Sequence, residues 1–563
     1  MTKIWDSAFY RGISWCLAPV LLFVPFLWLG LDETSFGKSD ALFYANILAM
    51  MADALKSGDF FPRWFAEANA GYGSPVMLFY SPLAYSISAI VNLPLTWLHL
   101  SARTQLFVGI YASQVASGIT MWWWLKTRFS PGVAYMGSLL FVLLPFKYVY
   151  IFLYANLAQL WALAFLPLWM LAAETMLERG WRSVAFYAFA FAAVYYSHPP
   201  TLIVFGIVPA LYVVLFGGIS SCWRLLFAHV LGLALCLMQA LPQHYYLDWI
   251  NLEGFLKRFY WQDNFLHADA VAYSYYAIIA MVVVWLAGHL PKLHHTRLGK
   301  EVVFWAATIF IIVFFLTQES SLILWEWIPA LKYLQFPALR FHVPALIGAV
   351  FLMCVWVAYR ADLKPLNSPV LQHYPITLAL LIIIFGTFTF QQRLTSYAAL
   401  RDVPQNVRSI YPLRLIEPPE YATHWGCLTR PFIQQLKNDY PHQQNAFLAR
   451  LQQGKGVLSV SWNPPQRIIL EADITSEKAL LVLHQCYLPL WQAYDESGHP
   501  IALSPVTSEG LLGLTLPAGH HTVEIVFTSG VMENLGRLAS AFALCICLIL
   551  LLDEKAPRGK STV

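Results

Sequence analysis

An isolated carboxylate, Asp40, stands in the polar loop that follows the first apolar stretch of the chain. Asp40 directly precedes the sequence ALFYANILAMMADALKSG, whereas Asp32 and Glu33 lie closer to the apolar stretch itself. A carboxylate beside a membrane span is costly unless it is solvated or used, which favours a general base or a cation ligand. A capping residue or first-turn acid at the start of the following helix is the alternative. The sequence therefore predicts Asp40 as the catalytic group and leaves the structural role open.

Basic and aromatic residues follow in a loop rich in proline and glycine. Pro62 fixes a turn, and Arg63 presents a permanent charge whose forked donors fit a phosphate. Trp64 and Tyr72 offer aromatic faces to a sugar, and Asn69 belongs to the same tight NAGYGSP loop. We therefore expect Arg63, Trp64, Asn69 and Tyr72 to bind substrate. An interfacial arginine anchor and a purely structural turn would explain the same residues.

Polar residues also interrupt the apolar segments farther along the chain. Lys147 follows a proline, Asn156 and Gln159 open an apolar segment, and His198 follows Ser197 at the end of the next one. Polar residues that gather at neighbouring span ends favour a binding site. For His198, a hydrogen-bonded core histidine is the alternative.

A third group of polar residues lies in the sequence LILWEWIPALKYLQFPALRF, residues 322–341. Glu326, Gln335 and Arg340 stand there among tryptophan and phenylalanine, and several prolines oppose a regular helix. Arg340 at the head of an apolar segment is suited to a lipid or substrate phosphate. Pairing with Glu326, or simple anchoring in the interface, is the alternative.

The composition identifies the class of protein that must position these residues. The chain has 563 residues, of which 58% are hydrophobic and 12% charged, and its mean hydropathy is +0.56. Soluble domains carry about 25% charged residues, so the sequence predicts an integral membrane protein built of helices. The net charge of +4 does not indicate a nucleic-acid partner, because the basic residues lie in short loops. Twelve spans are predicted: 12–31, 105–124, 131–147, 156–177, 183–198, 200–216, 224–241, 271–290, 302–317, 341–359, 373–391 and 533–552.

The distribution of lysine and arginine orients these spans. Basic residues concentrate in segments such as 125–130, 178–182 and 291–301 and in the C-terminal tail, and the positive-inside rule places such segments in the cytoplasm. This requires segment 77–98 to be an interfacial or re-entrant helix instead of a span. Both termini are then cytoplasmic, and the loops with the candidate site residues share the outer face.

Residues 392–532 differ from the rest of the chain. The alternating sequences GVLSVSWN, RIILEADI, ALLVLHQCY, GLLGLTL and HTVEIVF predict strands, and several short strands predict a β-sandwich outside the cytoplasm. Cys427 and Cys486 would lie in an oxidising compartment, so a disulfide between them is expected. Two separate buried thiols are the alternative. The predicted domains are thus 1–391, a membrane domain with the site in loop 32–104; 392–532; and 533–563, a final span with a basic cytoplasmic tail.

Several motifs resemble those of a bacterial multi-span membrane family labelled "6-pyruvoyl-tetrahydropterin synthase-related". They are GD-x-x-PRW, N-x-GYG-x-P, FYSPLAY, LPFKYVY with YAN-x-x-Q, SHPPT and WEWIP-x-L-x-x-LQFP-x-x-R. The resemblance covers roughly residues 10–420, and its architecture looks like the GT-C glycosyltransferase superfamily. It implies an essential acid in the first outer loop, matched by Asp40, and a polyprenyl-phosphate sugar donor in a bacterial inner membrane.

The resemblance also makes Arg63, Lys147 and Arg340 candidate phosphate contacts. The chain departs from the family pattern at the start of the fourth span, where many members carry Arg and Glu and it has Ala155 or Asn156 and Gln159. It also departs one turn after the first-loop acid, where members often carry His and it has Tyr44. These departures leave open whether a divalent cation is used or none.

Together these observations predict a membrane glycosyltransferase. Its partners would be a polyprenyl-phosphate-linked sugar, a glycan or lipid-linked acceptor, and membrane lipids, with no nucleic acid. A non-catalytic transporter or flippase for lipid-linked sugars, or a membrane scaffold for envelope glycan assembly, is the alternative function.

Overall fold

A computed structural model of the chain describes most of the membrane helices and the C-terminal sheet. It describes residues 41–144, 147, 149–178, 180–251, 295–328, 331, 334, 337–360, 422–429, 431–434, 449–463 and 467–552. The predicted spans 12–31, 271–290 and 373–391 lie outside the described residues, as do Asp40 and Gln335.

The other predicted spans coincide with helices. The helices are α1 (Ala41–Lys56), α2 (Val76–Phe79), α3 (Leu83–Asn92), α4 (Ala102–Leu125), α5 (Pro131–Leu143), α6 (Leu157–Glu178), α7 (Arg182–Ser197), α8 (Pro199–Phe205), α9 (Ile207–Phe216), α10 (Ile219–Tyr245), α11 (Arg297–Thr317), α12 (Leu322–Trp327), α13 (Pro337–Arg360) and α14 (Val531–Leu552).

Among the described residues, six helices are long and apolar enough to cross a membrane. They span Leu157–Leu177, Pro199–Phe216, Ile219–Tyr245, Arg297–Leu316, Arg340–Ala358 and Val531–Leu552. The predicted helical class is therefore confirmed, and the six apolar helices fit a membrane protein by length and composition, whereas the full number of twelve spans is not confirmed.

Local sequence signals explain where several helices begin and end. Gly58, just after the end of α1, has a φ of +85°, which a glycine adopts readily. The amide of Gly58 bonds to the carbonyl of Leu55, and that of Asp59 bonds to Ala54, which together satisfy free carbonyls at the helix end. Ser101 caps α4 by accepting a hydrogen bond from the amide of Thr104.

Segment 77–98 is a broken helix. Its first part ends at Tyr80, whose backbone is extended, and α3 begins after Pro82 and continues into a 3₁₀ turn, Leu93–Leu98. At about 1.5 Å per residue α3 measures only about 15 Å, so it is too short to cross the hydrocarbon by itself. Pro82 precedes α3 and Pro94 lies in the 3₁₀ turn that follows it, so the two prolines limit the length of this helix.

Charged residues from three helix ends meet at one end of the bundle. Arg128 lies after α4 and contacts Glu174 of α6 and Glu301 of α11, with nitrogen–oxygen distances of 3.3 Å in both pairs. Arg297 also pairs with Glu301 at 3.2 Å, and the hydroxyl of Tyr212 donates to the same carboxylate. Arg128 and Arg297, which belong to two of the segments that the sequence predicts to be cytoplasmic, therefore lie close together.

The C-terminal strands form one antiparallel sheet. They are β1 (Ala449–Gln453), β2 (Gly456–Asn463), β3 (Arg467–Cys486), β4 (Trp491–Tyr494), β5 (Pro500–Ile501), β6 (Leu503–Val506) and β7 (Leu511–Phe527). The order is β1–β3–β7–β4–β5, with β2 also paired to β3 and β6 to β7.

A two-sheet sandwich is not confirmed in the described residues, and the reason lies in the two longest strands. The sequences RIILEADI and ALLVLHQCY, predicted as two strands, belong to the single strand β3. GLLGLTL and HTVEIVF likewise belong to β7. Their pairing shifts register between Ile474 and Lys478 instead of turning back, so a β-bulge takes the place of the expected turn.

Cys427 and Cys486 form a disulfide, the pairing that the sequence analysis expects. Their Cα atoms lie 5.8 Å apart, and 59 residues separate them in the chain. The bond ties the 422–429 segment to the end of β3. That segment also contacts the chain shortly after α10, because Ile250 and Thr423 form an isolated antiparallel bridge.

Candidate functional site

An arginine surrounded by tyrosines lies at the start of α13. The guanidinium of Arg340 is within electrostatic reach of Tyr44 on α1, of Tyr80, and of Tyr150 in the turn before α6. His198 lies within electrostatic reach of the same guanidinium. The structure therefore brings together side chains from four separate parts of the chain around one permanent positive charge.

Aromatic rings form one wall of this site. The ring centroids of Phe43 and Tyr80 are 5.6 Å apart, and those of Tyr80 and Tyr85 are 5.8 Å apart. Tyr44 stacks on Tyr85 at 6.3 Å. These rings come from α1 and from the FYSPLAY sequence, and they give the site apolar faces together with phenol hydroxyls.

The charge of Arg340 is not neutralised by a carboxylate in the described residues. Glu326, which the sequence offers as a partner, is exposed on α12, and within the parts of the chain described here it forms no ion pair with Arg340. The forked donors of a guanidinium in such surroundings suit an anion such as phosphate.

His198 is buried at the junction of α7 and α8. Its backbone is extended, with φ −158° and ψ 94°, which ends α7 and allows Pro199 to begin α8. Its Nδ1 lies 2.8 Å from the hydroxyl of Thr201. This contact orients the imidazole beside Arg340 and gives His198 a structural partner as well as a place in the site.

Asn156 and Gln159 act on the site through Tyr150. The Asn156 carboxamide accepts a hydrogen bond from the amide of Gln159 at 3.1 Å, as an N-terminal cap of α6 does. The carboxamide of Gln159 then donates to the hydroxyl of Tyr150 at 3.0 Å. The two residues therefore begin α6 and fix Tyr150, which lies near Arg340.

Lys147 is fully buried and engaged with other helices. Its ammonium donates to the carboxamide of Gln114 on α4 at 3.1 Å and lies 4.0 Å from the centre of the Phe141 ring on α5. These contacts hold it between α4 and α5. They do not link it to Arg340.

Arg63 takes part in a buried cluster with the last helix. Its Nε donates to a carboxylate oxygen of Glu533 at 2.8 Å, and its Nη1 donates to the carboxamide oxygen of Gln239 at 2.6 Å. Glu533 stands in the first turn of α14 and Gln239 in α10. The forked donors of Arg63, which the sequence assigns to a phosphate, are therefore occupied by the protein itself.

The loop after Arg63 packs against the C-terminal sheet. The indole nitrogen of Trp64 donates to Gln485 of β3 at 2.9 Å, and its ring stacks on Phe527 with centroids 5.2 Å apart. Asn69 is buried and donates to the carbonyl of Gly73 at 3.1 Å. The carbonyl of Tyr72 accepts from the amide of Cys486 at 2.8 Å. These residues form the contact surface between the loop and the sheet.

Tyr80 connects this contact surface with the Arg340 site. Gln239 accepts from Arg63 and donates to the carbonyl of Tyr80 at 3.4 Å. The side chain of Tyr80 lies near Arg340. The Arg63 cluster and the residues around Arg340 are therefore neighbours, and the segment that links α2 to α3 joins them.

Two of the predicted site residues lie outside the described part of the chain. Asp40 lies outside the described residues, but the next residue, Ala41, begins α1, whose first turn carries Tyr44. Gln335 also lies outside the described residues. Within the parts of the chain that are described, no three His, Cys, Asp or Glu side chains come together as metal ligands would.

Sequence reasoning missed Tyr80, Tyr150, Gln239 and Glu533. Two of them carried a detectable signal: Gln239 is a polar residue within an apolar span, and Glu533 is an isolated acid at the start of the last one. Such residues inside a membrane protein need a partner, and here they meet Arg63.

No protein-family model matches this chain, and no curated protein matches it.

Proposed function

We propose that this chain is a membrane glycosyltransferase that uses a polyprenyl-phosphate-linked sugar. The observation that carries the proposal is Arg340, a permanent cation without a carboxylate partner in the described residues, placed at the head of an apolar helix beside tyrosines. A lipid phosphate combines a negative charge with an apolar tail, so it suits a site where a cation meets an apolar helix.

The reaction is an in-line displacement at the anomeric carbon of the donor. Asp40 removes the proton from the acceptor hydroxyl, the acceptor oxygen forms a bond to the anomeric carbon, and the bond to the phosphate oxygen breaks. Polyprenyl phosphate leaves with both bonding electrons, and the configuration inverts. Arg340 stabilises the negative charge that the leaving phosphate acquires, and the protein otherwise supplies positioning.

The tyrosines supply the sugar contacts in this proposal. Trp64 and Tyr72 face the sheet, so the role of stacking on the sugar passes to Tyr44, Tyr80 and Tyr85. His198 and Tyr150 offer hydrogen bonds near the phosphate. Arg63 and Lys147 stay candidate phosphate contacts only if the ligand displaces Glu533 and Gln114 from them.

The proposal includes the finer architecture expected from the sequence. It takes the chain to be a GT-C-like protein of the "6-pyruvoyl-tetrahydropterin synthase-related" family in a bacterial inner membrane, with twelve spans and a β domain of sandwich type on the outer face. The acceptor, a glycan or a lipid-linked molecule, would bind between the membrane domain and the sheet.

Transfer of a labelled sugar tests the proposal. Inside-out and right-side-out membrane vesicles that contain the chain receive a radiolabelled polyprenyl-phosphate sugar, and the label in the glycan and lipid fractions is counted. We expect transfer in right-side-out vesicles, and a loss of about 100-fold or more in Asp40→Asn, as general-base removal gives. Lys126→Gln is the matched control, because Lys126 lies in the turn after α4 that also carries Arg128. We expect this variant to keep wild-type transfer.

Two results would contradict the proposal. Donor that binds and crosses the membrane without transfer of its sugar would make the chain a transporter. Transfer that is equal in Asp40→Asn and in the wild type would remove the assigned base.

A further inference from the structure

The buried cluster of Arg63, Gln239 and Glu533 has a structural role that differs from phosphate binding. We propose that it is a positioning device, which holds residues 77–80 so that the side chain of Tyr80 stays beside Arg340. Arg63 and Gln239 are then positioning residues, and the C-terminal sheet and α14 take part in setting the geometry of the site. The activity readout of this proposal rests on the proposed function, whereas its structural readout does not.

The first step concerns the carbonyls that the cluster binds. Helix α2 has only four residues, and Tyr80 leaves it with an extended backbone, so the carbonyls of 77–80 lack helical partners. The carboxamide of Gln239 donates to the carbonyls of Met77, Leu78 and Tyr80 at 3.3, 3.1 and 3.4 Å. Gln243, one turn later, donates to Phe79 at 2.9 Å. Side chains of α10 therefore fix this whole run of backbone.

The second step concerns the orientation of Gln239. Its oxygen accepts from Nη1 of Arg63, so its nitrogen must point to the carbonyls of 77–80. Arg63 reinforces this arrangement because its Nη1 also lies 3.3 Å from the carbonyl of Met77. Loss of the guanidinium would free the carboxamide to rotate and would release its donor from those carbonyls.

The third step concerns the anchor of Arg63 itself. Glu533 holds Nε of Arg63 at 2.8 Å, and its other oxygen accepts from the amide of Gly530 at 3.0 Å. Gly530 follows β7, whose last residue, Phe527, stacks on Trp64. The sheet, the start of α14 and the residue next to Arg63 are thus joined, so a shift of the sheet is transmitted to the carbonyls of 77–80.

Hydrogen exchange of the full chain in lipid nanodiscs tests the device directly. The amides of Leu78 and Tyr80 bond to Pro75 and Val76 and are expected to be protected. Gln239→Leu approximately keeps the size of the side chain and removes both the donor to these carbonyls and the acceptor of Arg63. In this variant we expect exchange at the two amides to rise about tenfold, whereas β3 and β7 stay unchanged. Arg63→Lys keeps a positive charge for Glu533 but removes the forked guanidinium donors, one of which binds Gln239. We expect it to raise exchange at Leu78 and Tyr80 less than Gln239→Leu does.

Ser540→Ala is the matched control. Its hydroxyl ties α14 to α10 by donating to the carbonyls of Ala234 and Leu235 and accepting from the amide of Met238, and none of these hydrogen bonds in the described residues involves residues 77–80. We expect it to leave exchange at Leu78 and Tyr80 at the wild-type rate. In the transfer assay, Gln239→Leu is expected to raise KM for the lipid-linked donor about tenfold with a smaller change in kcat, and Ser540→Ala to leave both unchanged.

The outcomes separate the device from the proposed function. Unchanged exchange at 78 and 80 in Gln239→Leu overturns the positioning device. Raised exchange with a donor KM equal to that of the Ser540→Ala variant also overturns it, because the site then does not depend on these residues. If the wild type shows no transfer, the proposed function fails, and the Kd for polyprenyl phosphate replaces KM in the same comparison. Raised exchange together with weaker binding of polyprenyl phosphate supports the device even then, and equal Kd values overturn it.

Discussion

Arg63 and Glu533 form a buried ion pair although 470 residues separate them in the chain. The pair joins the loop after α1 to the first turn of the last helix, and both side chains are almost completely removed from solvent. A buried charge that loses its partner is strongly destabilising, whereas a pair replaced by apolar residues of similar size is often tolerated.

Removal of one partner is therefore expected to cost more than replacement of both. We expect Glu533→Leu to lower the free energy of unfolding by about 3–5 kcal/mol, and the double variant Arg63→Met with Glu533→Leu to lose less than the single one. Denaturant titration of the purified protein in detergent measures both. Effects of the two substitutions that simply add would show that the residues do not interact.

Substitutions at Gly71 and Gly73, in the loop that follows Arg63, can separate the effect of backbone strain from that of close packing. Gly71 and Gly73 have φ values of +88° and +80°, so a side chain strains the backbone at either position. A Cβ at Gly73 would also collide with the indole of Trp64 and approach Gln485, whereas a Cβ at Gly71 would meet nothing within 4 Å. We expect Gly73→Ala to destabilise the protein by about 1–3 kcal/mol more than Gly71→Ala does. Thermal unfolding of both variants checks this, and equal melting temperatures would contradict the contact with the sheet.

The disulfide is expected to stabilise the contact between loop and sheet. Cys486 provides the amide that binds the carbonyl of Tyr72, and its sulfur is bonded to Cys427. Loss of the bond by Cys427→Ser with Cys486→Ser is expected to cost about 2–4 kcal/mol and to expose the 63–75 loop to protease. Cys222→Ser, a substitution of a free cysteine, is the control. A digestion pattern unchanged in the double variant would contradict this role.

A histidine on the sheet is expected to titrate above its ordinary range. Nδ1 of His520 lies 2.6 Å from the carboxylate of Asp473, and this hydrogen bond and the adjacent negative charge raise the pKa of His520. Because the pKa is higher in the folded protein, the pair's stabilisation is complete below pH about 6.5. It is lost as the pH rises through the raised value.

The NMR titration of labelled histidine, with His520→Asn used for assignment, measures this pKa. Asp473→Asn is expected to return it to the ordinary range. A titration midpoint that is the same with and without Asp473 would show that the pair does not form in solution.

The sequence predicted most helices correctly because their signals are local. Apolar runs, capping residues such as Ser101 and the positive φ of Gly58 act within a few residues. The alternation of apolar and polar residues in the strands was equally visible in the sequence. The joining of ALLVLHQCY to RIILEADI was not, because the residues between them suit a bulge as well as a turn, and the partner strand decides between the two.

The candidate site was only partly predictable for a different reason. The types of residue that form it were visible, but the partner of each depends on contacts between distant parts of the chain. Arg63 has a side chain suited to phosphate, and only the fold shows that Glu533 and Gln239 occupy it. In the sequence Arg340 looked as well suited to phosphate as Arg63 did. In the structure its neighbours among the described residues are tyrosines and His198.

Binding of polyprenyl phosphate to the purified chain in nanodiscs tests the central claim most directly. With Arg340→Gln we expect the Kd to rise by about 10- to 100-fold, since a charge-assisted contact to phosphate is worth about 1.5–3 kcal/mol. Lys126→Gln, in the turn after α4 that also carries Arg128, is expected to leave the Kd unchanged. A Kd that is the same in Arg340→Gln and in the wild type would contradict the account.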